Sequence, residues 1–114
     1  MRIVNRTRGT VLAERAEKAL SWKRRLQGLL GKDGLEKGEG LFIAPCTSIH
    51  SCFMRFVFDA VFVDRELKVL HLIKRMRPWR ISRWVRRARG VIELPAGTIS
   101  ATGTREGDRL RFEE

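Results

Sequence analysis

The stretch Pro45-Cys-Thr-Ser-Ile-His-Ser-Cys-Phe-Met-Arg-Phe-Val-Phe-Asp-Ala-Val-Phe-Val-Asp64 decides the fold. It holds both cysteines, one of the two histidines and four of the six phenylalanines. Apolar side chains fill most of its other positions, so it belongs in the core. Arg55 and Asp59 each sit between apolar neighbours, where an unpaired charge is costly. Phe58–Val63 is β-branched and aromatic and reads as a buried strand. Asp64-Arg-Glu makes a turn, and Leu67–Ile73 returns as the partner of a β-hairpin with apolar residues on both faces. Ile49–Met54 alternates Ile49, Ser51 and Phe53 against His50, Cys52 and Met54, which suggests a partly covered extended piece.

Working outward, Leu41-Phe-Ile-Ala is a short apolar strand stopped by Pro45. The glycines of 32–40 mark a loop before it. Ser21 is a good N-cap, and Trp22, Leu26, Leu29 and Leu30 fall on one helical face. That spacing predicts a helix over 21–30, with Gly31 as its left-handed C-terminal residue. Gly28 weakens this helix by about 1 kcal/mol relative to Ala. Glu14–Leu20 favours helix by composition but shows no clear period. Arg2–Asn5, Thr10–Ala13, Val91–Leu94 and the alternating edge Arg109–Glu113 read as further short strands. Pro78 argues against a helix in the segment that follows the hairpin. The expected fold class is mainly β: one sandwich- or barrel-like domain over 1–114, with a single helix packed on it.

A chain of 114 residues suits one domain and buries roughly two-thirds of its unfolded surface. No apolar run approaches the roughly 20 residues of a membrane span. The basic N-terminus lacks a secretory apolar core, so the expected location is the cytoplasm. Two cysteines outside a Cys-x-x-Cys pair and two histidines make no zinc spacing, so no metal or cofactor is expected. Both thiols are expected to be reduced and mostly buried.

The net charge of +11 is unevenly spread. Residues 65–89 carry 10 basic groups against Glu66, for a net +9. Within Lys74–Arg89 there are eight basic residues and no acid. Such a field attracts nucleic acid, anionic lipid or acidic partners.

Three pieces together resemble one family. They are Gly28-Leu-Leu-Gly after the basic helix, the stretch Pro45–Asp64, and Val91-Ile-Glu-Leu-Pro-Ala-Gly followed by Gly107-Asp. This looks like the bacterial and archaeal family called domain of unknown function 192, over roughly residues 5 to 113. The resemblance implies a compact, mostly β single domain with a helix packed on it, and no reaction. His50, Met54, Arg55 and Asp59 match its middle motif. The usual proline before the Asp strand is replaced here, leaving Arg55-Phe56-Val57-Phe58-Asp59.

Several polar landmarks require partners. A buried Arg55 and a buried Glu93, the latter between Ile92 and Leu94, would satisfy each other as a bidentate pair, or Arg55 would take Asp59. His50, Arg55, Asp59 and Glu93 are therefore the candidate ligand-binding set. His50, Asp59, Arg55 and Cys52 are the candidate catalytic groups, since a Cys-His pair activates a thiolate and a His-Asp pair does general base work. For anion or nucleic-acid contact the candidates are Arg75, Arg77, Trp79, Arg80, Arg83, Trp84, Arg86 and Arg87, because aromatics among arginines stack bases and meet phosphates. The same composition also suits an anionic membrane interface. The first expectation is a non-enzymatic ligand- or partner-binding module with a basic, anion-attracting face. The alternatives are a small enzyme with a His/Asp/Arg site and a nucleic-acid-binding accessory protein.

Overall fold

A computed structural model describes all 114 residues. Its elements are β1 (Arg2–Asn5), β2 (Thr10–Ala13), β3 (Arg15–Ala19), α1 (Trp22–Gln27), β4 (Glu39–Ile43), β5 (Phe58–Val63), β6 (Val69–Met76), β7 (Gly90–Pro95), α2 (Thr98–Thr102) and β8 (Leu110–Glu113). They form a five-stranded sheet in the order β3-β4-β7-β5-β6 and a three-stranded sheet in the order β2-β1-β8. The mainly β architecture and the hairpin β5–β6 are those the sequence implied.

Both faces of the five-stranded sheet are covered, which is why all six residues of β5 are buried. Successive side chains point to opposite faces of a strand. Val61, Val63, Ile92 and Leu94 thus join Ile3, Leu12 and Leu110 of the small sheet in one core. Phe58, Ala60, Phe62 and Val91 form a second core with Leu29, Ile49, Met54 and Val85. The second face is therefore roofed by α1 and by irregular chain, not by another sheet. Gly90 permits this packing, since a Cβ there would lie 2.6 Å from the Ile43 carbonyl oxygen.

Asp59 holds the far end of β5. Its two carboxyl oxygens accept from the amides of Arg75 at 2.9 Å and Ile99 at 2.8 Å. The first bond braces a bulge where Phe58 pairs Met76 but Ala60 pairs Ile73, with Arg75 at φ 53°. The second ties β5 to the start of α2. In the small sheet, buried Asn5 donates to Thr104 Oγ1 and Asp108 Oδ2. Burial pushes the Asp108 carboxyl up, but hydrogen bonds from Arg8, Asn5 and the Arg105 amide outweigh it and hold the group below its usual range. That network stabilises the fold above the ordinary Asp range and weakens as pH falls through the lowered value.

Three expectations need correction, and one segment left open by the sequence is decided. Arg15–Ala19 is a strand, parallel to β4, because pairing at the sheet edge and burial of Ala16 and Ala19 override a helical composition. The helix spans only Trp22–Gln27; its C-cap is Gly28 at φ 49°, not Gly31. Of its apolar face, Leu29 is buried while Trp22 and Leu26 stay exposed. Ile49–Met54 is not a strand: only His50 forms a bridge, to Ile81, and the rest is loop.

Candidate functional site

The alternation of β7 places Glu93 on the second face, in line with Val91. Its cross-strand neighbours are Leu41 on β4 and Ala60 on β5, both apolar. A carboxyl group thus stands in the middle of an apolar sheet face, and Glu93 is only 4% exposed. The protein gives its side chain no hydrogen-bond partner, and burial pushes its carboxyl up to about 8. At neutral pH Glu93 therefore holds its proton and has one O–H donor to offer along with its acceptors.

The carboxyl faces a cavity of about 470 Å³ between that sheet face, α1 and the loop after β4. Apolar wall comes from Trp22, Leu26, Leu29, Ile43, Ile49 and Met54. Gly28 brings the backbone close, for a Cβ there would meet Glu93 Oε1 and Ile43 Cδ1 at 3.9 Å each. Arg25 forms part of the wall, with Nη1 donating to the Pro45 carbonyl at 3.0 Å and Nε buried without a partner. Cys46 donates its thiol proton to the Ser48 carbonyl at 3.0 Å. Burial raises this thiol, with Glu93 acting in the same direction and the Ser48 bond and Arg25 opposing. A raised thiol is a poor nucleophile. Alkylation of Cys46 by iodoacetamide at neutral pH is expected to run slower than that of free cysteine, followed by mass spectrometry. A rate equal to or above that of the free thiol would contradict this environment.

The other sequence candidates do not converge here. Arg55 pairs with neither Glu93 nor Asp59. Its guanidinium is exposed and donates to Asp33 at 2.9 Å, because the loop that carries it turns outward. Asp59 faces the opposite core and serves backbone amides. His50 stands exposed at the cavity wall, and its Nδ1 accepts from the Cys52 amide at 3.3 Å. Cys52 is half-buried and does not line the cavity. Of the ligand-binding set, the cavity therefore joins His50 and Glu93 alone. Arg25 escaped sequence reading as one of three consecutive basic residues. Its i, i+3 spacing from Trp22 was the available signal, placing it on the helix face that lines the cavity.

Lys74, Arg75, Arg77, Arg80, Arg83, Arg86, Arg87 and Arg89 are all exposed, as are Trp79 and Trp84. None of these basic residues enters an ion pair. The segment is irregular after β6 and is laced to the cavity loop. Ser51 and Ser82 supply most of the stitches, through Arg80, Trp79 and Ile49.

These features define a small two-sheet β domain with a carboxyl-floored cavity under a short helix. The chain belongs to the DUF192 family, described as uncharacterised ACR, which it matches over residues 3–112. It is 32% identical over 116 residues to a UPF0127 protein of Thermococcus sibiricus, covering 97% of this chain and 74% of that one. A Pyrococcus furiosus UPF0127 protein is 32% identical over 77 residues, covering 63% of this chain and 66% of that one. The fold is similar to that of a protein of unknown function from Novosphingobium aromaticivorans, with TM-score 0.86 and 19% identity over 98% of this chain and 84% of that one. It is also similar to that of a candidate transcription regulator from Sinorhizobium meliloti, with TM-score 0.79 and 22% identity over 96% and 89% of the two chains. No helix is long and apolar enough to cross a membrane.

Proposed function

We propose that the cavity is a receptor site for a small amphipathic molecule whose polar end meets Glu93, and that the domain is a binding module. The observation that carries this is a carboxyl group without a partner in the protein, set in an apolar sheet face at the floor of an open cavity. A buried polar group left unpaired is costly, and a ligand that hydrogen-bonds it removes the cost. The protonated carboxyl suits a head group with an acceptor, or with an acceptor and donor side by side, as in a carboxylate or a carboxamide. The net charge of +11 disfavours a cationic head. The apolar wall suits a hydrocarbon tail.

Calorimetric titration with octanoate, octanamide and octylamine tests this. The carboxylate and the amide are expected to bind below the Glu93 titration near 8 and to weaken by about tenfold one to two pH units above it. Glu93→Gln should keep the amide bound and abolish that pH dependence. Binding of the amine alone, strengthening as pH rises, would overturn the reading.

A further inference from the structure

The segment after β6 exposes more apolar surface than a solvated basic loop requires. Trp79 is 59% exposed, Ile81 78% and Trp84 70%. Trp79 and Trp84 are five links apart, so their Cα atoms lie within roughly 18 Å of one another. Phe53, 71% exposed, packs on Trp79 with ring centroids 4.6 Å apart. Both aromatics sit at left-handed backbone positions, Phe53 at φ 67° and Trp79 at φ 64°. Non-glycine residues avoid this region, and such strain clusters at functional surfaces.

The strain is held by a buried clamp. The Ser51 hydroxyl donates to the Arg77 carbonyl and accepts from the Arg80 amide at 2.9 Å. The Ser51 amide donates to the Arg80 carbonyl, and the Trp79 amide donates to the Ser51 carbonyl. The aromatic pair is thus presented outward by fixed backbone. In the same segment Arg77, Arg80, Arg83, Arg86 and Arg87 are exposed and without carboxylate partners. Arg65, Arg86, Arg87 and Arg89 also border an open cleft whose wall has no acid.

We propose that the strip from Arg77 to Arg87, with Phe53, docks on an anionic lipid bilayer. Tryptophan and aliphatic side chains beside unpaired arginines match the boundary between charged head groups and acyl chains. Nucleic acid fits less well. Base stacking needs a free aromatic face, whereas Phe53 already covers part of Trp79, and Ile81, the most exposed of the set, has no π face. The loop that carries Ser51 also walls the cavity through Ile49 and His50, so a docked molecule keeps its cavity next to the bilayer.

Sedimentation of the full chain with phosphatidylcholine vesicles, with and without phosphatidylglycerol, tests the proposal at low and high salt. The expected result is binding to the anionic vesicles only, weakened by salt, with a blue shift of tryptophan emission. Ile81→Ser with Trp84→Ser should cut the partition coefficient about tenfold without changing Tm, and Arg80→Gln with Arg83→Gln should flatten the salt dependence. Glu93→Gln should leave vesicle binding intact, which separates this surface from the cavity. Absence of binding to anionic vesicles at low salt would overturn the proposal. So would binding indifferent to the Ile81 and Trp84 changes, or capture of single-stranded RNA in place of vesicles.

Discussion

Glu93→Gln is expected to match the parent protein near pH 4.5 and to exceed it in stability by roughly 5 kcal/mol at about pH 9. The reason is proton linkage. The Glu93 carboxyl titrates near the ordinary 4.5 in the unfolded chain and near 8 in the folded one. Between those values the folded state holds a proton that the unfolded state has released. Stability contributed at this position is therefore present in full below 4.5, falls as pH rises toward 8, and is flat above. Glutamine carries no proton to lose, so the difference between the two proteins isolates this one group from every other titration. Paired thermal melts across the pH range measure it. A difference in Tm that does not change with pH would show that the carboxyl finds water or a partner and is not desolvated. A stabilising substitution at a cavity floor is also what a site that trades stability for binding should yield.

Asp59→Ala is expected to lower stability by roughly 3 to 4 kcal/mol, or Tm by about 12 to 16 °C. The carboxyl is fully buried and accepts from two backbone amides, those of Arg75 and Ile99. Removing it leaves both donors orphaned and frees the bulge in β6 from the start of α2. Asp59→Asn should fall between, because one oxygen still accepts while the new amide group faces an N–H donor. Urea denaturation of the three proteins measures the order. A loss below about 1 kcal/mol for the alanine variant would mean that β6 and α2 relax to new partners.

The two aspartate and glutamate sites show how far residue types carry an argument. Sequence reading singled out both, since a charge between apolar neighbours in a strand must be buried. It offered Arg55, the base inside the same apolar stretch, as the partner of one or the other. Asp59 and Glu93 face opposite sides of the sheet, however, and the loop before β5 turns Arg55 toward Asp33. Asp59 instead serves the architecture, accepting from the amides of Arg75 and Ile99. Glu93 is left unpaired, which no local pattern announces.

What the sequence determined by itself was periodic and local. The alternating β-branched and aromatic runs 58–63, 67–73 and 91–94 specify strands because burial on a pleated face has period two. Ser21 started a helix because its hydroxyl caps a free amide, at 3.2 Å from Arg24 N. Only the tertiary structure decided the rest. It made Arg15–Ala19 an edge strand, since a parallel partner 24 residues away outweighs helix propensity. It set Arg25, Gly28, Cys46 and Glu93 around one cavity, drawing them from a helix, its cap, a loop and a strand. Contacts between distant segments follow from how two layers stack, and stacking is a property of the whole chain's buried area, to which no single stretch holds the key.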